Sequence, residues 1–174
     1  MTQGLSLETF DIFQIFVFRS ERLHLSIGGI GNDNQHHSWG HMHNDKLSFE
    51  LMIDGKDVVV NPGTYLYTPI PKRRLEFRNT AAHNTLVVEG VEQNECPSGN
   101  LGLFNMKHQT KVELLEATHL GITLRLTYRN IHQLRKIEIL EQAIKISDYS
   151  SAPFTPYFNR FDLYSNGYGK WVRT

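Results

Sequence analysis

Several things that would point to other classes of protein are scarce or missing in this sequence. There is one cysteine, Cys96, in 174 residues; a single thiol closes no internal disulfide and a Cys-rich zinc site is excluded. Cys96 lies in the polar stretch NECPSGN and reads as incidental. There is no net charge, 18 Lys plus Arg being matched by 18 Asp plus Glu, so bulk electrostatics give no footprint for nucleic acid. No apolar run approaches the ~18 residues that a membrane span needs. The opening MTQGLSLETFDIFQIFVF has neither the basic start nor the long apolar core of a secretory signal. An amphipathic helix of ten or more residues is absent, as are internal repeats, linkers and low-complexity segments. The expectation is a single domain over residues 1–174, long enough for a real core.

What the sequence does have is strand after strand. Residues 13–19 are rich in β-branched and aromatic side chains. Leu23, Leu25 and Ile27 alternate before Gly28-Gly29 breaks the run. Residues 47–53 and 56–60 are separated by Asp54-Gly55, a strong hairpin signal between apolar runs. Strand patterns then follow over 111–118, 122–129, 131–140 and 143–149, with Glu141-Gln142 as a tight turn. In the second of these, Ile122, Leu124, Leu126 and Tyr128 share one face and Thr123, Arg125, Thr127 and Arg129 the other, the pattern of a half-buried antiparallel sheet. Tyr157, Phe158, Phe161 and Tyr164 suggest a last strand in the tail. The fold expected is all-β, an antiparallel two-sheet β-sandwich.

The chemistry is concentrated between Gly40 and Gly90. His41 and His43 form an H-x-H pair before an apolar run, Asn61 stands in NPGTY after the run VVV, and His83 precedes a further run in AHNTLVVEG. Residues two apart on a strand face one way, so an extended H-x-H segment would aim both imidazoles together. The Asp54-Gly55 hairpin would carry Asn61 back beside them. Imidazoles with a side-chain oxygen make a divalent-metal or acid–base site. Each piece also has a plain structural reading: surface histidine, Asn-Pro-Gly as a turn, Asn84 and Thr85 as loop caps. Residues 31–39, with His36 and His37, read as a polar surface loop. Residues 68–79 read as a basic loop carrying Lys72, Arg73, Arg74 and Arg78. Such a loop is either a solvated surface or an arginine-rich site for the carboxylate or sulfate of an acidic sugar. Tyr65 and Tyr67 beside it either stack on sugar faces or pack under the loop.

Taken together and in order, the residues GHMHND (40–45), LSF (47–49), NPGTY (61–65) and RNTAAHNT (78–85), with LRKI (134–137) and ISD (146–148) as weaker matches, resemble the C-terminal β domain of the heparinase II/III family of polysaccharide lyases. The resemblance implies β-elimination on acidic, uronate-containing glycans of the glycosaminoglycan kind. It puts His41 at the substrate, and His43, Asn61 and His83 at a divalent metal, zinc by first expectation. The family's aspartate is here Asn61, a neutral oxygen without charge. Arg73, Arg74, Arg78 and Tyr65 are the expected substrate-binding side chains. The family's helical toroid, which supplies a tyrosine acid/base and an asparagine or histidine for the carboxylate, finds no room in these residues. Three expectations follow: the β domain of a lyase completed by a helical domain or partner chain; a non-catalytic carbohydrate-binding or structural sandwich; or a cupin-like metal enzyme, against which Asn61 argues. The resemblance implies a periplasmic or extracellular setting.

Overall fold

The computed structural model describes residues 1–29, 41–157, 163–165 and 171–173. Strands β1 (Ser6–Phe10), β2 (Ile15–Arg19), β3 (Leu23–Gly28), β4 (Phe49–Ile53) and β5 (Lys56–Val59) pair in chain order as an antiparallel meander. After the two-residue β6 (Leu86–Val87), strands β7 (Thr110–Thr118), β8 (Gly121–Tyr128), β9 (Ile131–Ile139) and β10 (Ile144–Ser150) form a second antiparallel meander. Two short pairs complete the strands: β11 (Thr155–Pro156) beside β6, and β12 (Leu163–Ser165) beside β13 (Trp171–Arg173). The fold is an all-β sandwich, as the alternation of residue types foretells.

Period-two burial explains the sandwich. Phe16 and Phe18 of β2, Leu23, Leu25 and Ile27 of β3, and Phe49 and Leu51 of β4 are buried. Val112 of β7, Ile122, Leu124, Leu126 and Tyr128 of β8, and Ile137 and Ile139 of β9 join them in a single apolar core. The Asp54-Gly55 turn has positive φ at both residues, 51° and 73°. That is the primed geometry whose twist matches the strands it joins, and Ile53 faces Lys56 directly across it. The first strand, β1, lacks a clear alternation and is largely exposed, so the sequence pattern does not reveal it. His36, His37, Phe158 and Phe161 lie outside the described residues.

One position breaks the apolar rule. On the inward face of β9, where Ile137 and Ile139 lie in the core, Arg135 is fully buried. Its Nε and Nη2 donate to the two carboxylate oxygens of Asp148 on β10, each at 2.8 Å. Its Nη1 donates to the carbonyls of Leu47 and Asn84 at 2.7 and 2.6 Å. This arginine therefore ties the second sheet to the two loops that carry the histidines. Arg135→Met leaves the Asp148 carboxylate and two carbonyls unpaired, so it should cost ~3–5 kcal/mol in denaturant unfolding. Lys136→Ala on the same strand, where the exposed ammonium pairs with Glu138, should cost less than ~1 kcal/mol. Equal, small losses in both variants would remove Arg135 from this role.

Candidate functional site

The H-x-H segment is not a strand. His41 has φ +68° and Leu47 φ +62°, and β4 begins only at Phe49. A left-handed residue reverses the chain locally, so the two imidazoles diverge instead of facing one way. His41 is exposed; its ring meets Tyr67 edge-on at 5.9 Å and Phe104 at 5.2 Å between centroids. His43 turns inward, its ring 5.2 Å from that of the fully buried His83. The structure thus brings His43 and His83 together and sets His41 on the rim.

The residues after His83 act as staples. Asn84 Nδ2 donates to the carbonyls of Phe49 and Val60, at 3.1 and 2.9 Å, and so joins β4 to the chain leaving β5. Thr85 Oγ1 donates to the Lys46 carbonyl at 2.6 Å. Asn61 follows Val60 directly, and its Oδ1 accepts from the Gly63 amide at 2.9 Å, an Asx turn. Gly63 has φ +74° and no room for a side chain, since an added Cβ would lie 2.2 Å from the Ser165 carbonyl oxygen. Asn61 and Asp45 line one cavity of about 190 Å³ with Ser48, Phe49 and Glu50. The hairpin therefore does return Asn61 to the neighbourhood of the histidine loops.

The basic stretch is a helix, α1 (Pro71–Arg78), with proline in its first turn. Arg74, Phe77 and Arg78 lie on its inner face at i, i+3 and i+4 spacing and are buried. Arg78 spends its guanidinium on the carbonyls of Met42, Gly102 and Asn105, and so holds the H-x-H segment instead of facing solvent. Arg74 is likewise inside, its Nε donating to the Leu103 carbonyl at 3.3 Å. Arg73 remains half exposed; it pairs with Glu76 and lies over the rings of Tyr65 and Phe77. Tyr65, at φ +62°, stacks on Phe77 with centroids 5.0 Å apart. In sequence the stretch reads as a loop, either solvated or an arginine-rich glycan site, because nothing in its charge density announces that two arginines face inward.

A polar interior supports the site, and sequence reasoning missed it. Glu92 accepts from the amide and hydroxyl of Thr80, both at 2.7 Å, and from Asn44 Nδ2 at 2.8 Å. Asn44 Oδ1 accepts from the Asn94 amide, and Gln93 takes both the amide and the carbonyl of Lys46. Lys46 itself is buried, its Nζ 3.3 Å from the His43 carbonyl and from Asp45 Oδ1. The sequence signal for these residues is weak: Asn44 and Asp45 adjoin the H-x-H pair, while EQN at 92–94 looks like any polar loop.

Electrostatics keep the histidine pair neutral. Burial lowers the His43 pKa to about 3, helped by repulsion from His83. Burial also lowers that of His83, with Asp45 pulling the other way. For Asp45, burial pushes upward but Lys46 and the two histidines outweigh it, and the net direction is down. Both ring nitrogens of His83 are buried without a hydrogen bond of ordinary geometry; the Phe77 carbonyl is the backbone acceptor near enough to affect its charge. A neutral imidazole has one N–H and one lone-pair nitrogen; with the N–H toward the Phe77 carbonyl, the other nitrogen suits a metal or a water. His43 is less free, because Arg74 Nη1 lies 3.4 Å from its Nε2. An arginine only donates, so that nitrogen is the acceptor and a metal there competes with Arg74. Among the described residues no three His, Cys, Asp or Glu side chains converge as a metal cage; of the expected ligands, His43 and His83 lie ring to ring, while the Asn61 side-chain oxygen is held by the Gly63 amide.

A histidine whose folded pKa is depressed contributes fully above its unfolded value, near 6.5. It loses that contribution as pH falls toward the folded value. Asp45 adds to the loss in the same direction at lower pH. In metal-free buffer the thermal midpoint should therefore fall steadily from pH 6.5 to 4, at on the order of 1 kcal/mol per pH unit for each buried histidine. His83→Leu should flatten the profile. A profile unaffected by that change would contradict the assignment.

Comparison with known proteins agrees with this fold. The family described as Heparinase II/III-like, C-terminal, matches residues 12–142. Among solved structures, a heparinase III gene product is similar at 18% identity and a TM-score of 0.61, over 84% of this chain and 22% of that one. A heparan sulfate lyase from Pedobacter heparinus is similar at 16% identity and a TM-score of 0.59, again over 84% of this chain and 22% of that one. The chain thus spans about a fifth of the length of those structures. No curated protein matches it. The chain belongs to the heparinase II/III-like family and corresponds to its C-terminal domain.

Proposed function

We propose that this domain is the β half of a polysaccharide lyase active site, acting on acidic, uronate-containing glycans by β-elimination. One observation carries the reading most: an exposed histidine, His41, sits on a left-handed backbone two residues before His43, whose ring turns inward to pair with the buried His83. Strain of ~1–3 kcal/mol at a polar rim residue persists where the surroundings over-determine it, as they do at functional sites. Here the His41 amide donates to the Phe104 carbonyl at 2.8 Å, which fixes the loop from across the rim.

In the reaction, a base removes the proton at C5, α to the carboxylate, and the bond from C4 to the leaving oxygen breaks. Electron density builds on the carboxylate, so a positive or hydrogen-bonding group must stabilise it there. A proton must return to the leaving oxygen. His41 is the group of this chain that faces the substrate, at the carboxylate or as the base. The remaining acid–base group and further contacts to the reacting uronate come from a helical domain or partner chain. His43, His83 and Asn61 hold a divalent metal, with zinc the first choice. When bound it supplies a fixed positive charge that ties the two histidine loops and the hairpin together. His41 then keeps its place because Met42 and His43, which follow the turn, are held.

Two measurements test this. Lyase action leaves unsaturated, ultraviolet-absorbing ends. The chain alone should give almost none from acidic polysaccharides, whereas a polypeptide that joins it to the helical half should turn over. In that polypeptide His41→Ala should lower the rate by roughly 10²-fold or more. Robust turnover by the chain alone, or an indifferent His41→Ala, would overturn the assignment. Separately, zinc should raise the thermal midpoint of the chain, by ~2.7 kcal/mol of stability at a hundredfold excess over Kd. His83→Ala should abolish that rise, Asn61→Asp should enlarge it by adding the missing charge, and His41→Ala should leave it unchanged. A zinc response insensitive to His43 and His83 would refute the metal site.

A further inference from the structure

Arg74 carries more chemistry than its packing uses. It is fully buried on the inner face of α1. Its Nε reaches the Leu103 carbonyl and its Nη1 the His43 ring, at the long distances of 3.3 and 3.4 Å. Its Nη2 is buried and has no hydrogen-bond partner among the described residues. An ionised donor left unpaired inside a protein is costly. Arg78, the neighbouring buried cation, is satisfied by carbonyls; among the described residues neither arginine has a carboxylate within ion-pair distance. Among the described residues, then, two buried guanidinium groups lie close together with no carboxylate paired to either, and Arg74 keeps one donor unused.

The roof over that pocket is aromatic. The Arg74 guanidinium lies 5.0 Å from the Tyr67 ring centroid and 5.8 Å from that of Phe104, and His41 packs against both rings. Phe104 is half-buried, but Tyr67 is 45% exposed. Tyr67 is therefore the roof member that moves at least cost. A cation–π contact at a partly exposed site is weak, whereas a carboxylate held by an arginine fork gains two charge-assisted hydrogen bonds.

We propose that Arg74 is a carboxylate-binding site covered by Tyr67: the tyrosine ring swings out, and the Nη1–Nη2 edge of the guanidinium takes a carboxylate of the glycan. The identity of the ligand rests on the lyase reading; the pocket itself does not. In this arrangement the carboxylate approaches beside His41, and Nη1 exchanges the ring nitrogen of His43 for a charged oxygen.

The test uses the chain itself and glucuronate as probe, with glucose as the neutral control, followed by calorimetry or nuclear magnetic resonance. Tyr67→Ala removes the cover and should tighten glucuronate binding by roughly 2- to 30-fold, the cation–π energy converted at tenfold per 1.36 kcal/mol. The gain should shrink with added salt and be absent for glucose. Tyr67→Phe keeps the ring and should bind as the native chain does. Arg74→Lys, placed on Tyr67→Ala, should cancel most of the gain, because lysine lacks the fork. If Tyr67→Ala weakens glucuronate binding or leaves it unchanged, or if glucose gains equally, the proposal falls. Glucuronate binding is read without turnover. A tightened Tyr67→Ala in an inert two-domain protein would therefore sink only the lyase reading, and an indifferent Tyr67→Ala in an active one only the Arg74 site.

Discussion

A charged fork inside the sandwich holds the two catalytic-looking loops at one place. Arg135 occupies an inward position on β9 and faces Asp148 with two parallel hydrogen bonds. Its remaining nitrogen grips the carbonyls of Leu47 and Asn84, and its guanidinium lies 5.4 Å from the Phe49 ring centroid. Burying such a pair repays little by itself, since desolvation offsets the attraction. What it contributes is specificity of position. Leu47 lies four residues after His43, and Asn84 follows His83 directly. Fixing those two carbonyls fixes the distance between the loops that carry the histidines.

The rest of the site is built outward from that bracket. Thr85 ties the second loop to Lys46 of the first, and Asn84 ties it to β4 and to the end of the hairpin that bears Asn61. Arg78, on α1, closes the other side by taking the Met42 carbonyl. Amid polar groups consumed by carbonyls and amides, the neutral His43–His83 pair, the left-handed His41 and an Arg74 with no carboxylate partner among the described residues are unfavourable features that fall close together in the chain. Local cost of this kind, concentrated in one place and surrounded by satisfied groups, is what a functional site looks like against a consistent fold.

Much of the architecture is legible in the sequence because period-two alternation and the Asp-Gly turn are local signals. Ile122 to Tyr128 face inward as their spacing demands, and the Asp54-Gly55 hairpin returns Asn61 toward the histidines. The run LRKI before ISD already held the bracket, although nothing in the spacing says that Arg135 and Asp148 meet. Other features escape a local reading. Lys72 to Arg78 look solvated, yet Pro71 starts a helix that turns Arg74 and Arg78 inward. His41 and His43 look parallel, yet a positive φ at His41 sends them apart. Burial of a charge and a left-handed residue both depend on partners distant in sequence: Gly102, Leu103 and Asn105 for the arginines, Phe104 for His41. A single sequence does not display those pairings.

On the proposed function, the domain offers one histidine, His41, to a glycan and holds that histidine's loop from behind. If the Arg135 bracket is what positions the site, weakening it should loosen both histidine loops together. Asp148→Asn keeps the shape of the side chain and removes its charge. Hydrogen exchange should then show faster exchange at the amides of residues 43–48 and 83–86 in parallel, while those in the middle of β7, β8 and β9 remain protected. Loops that keep native protection, or that loosen one without the other, would contradict the account.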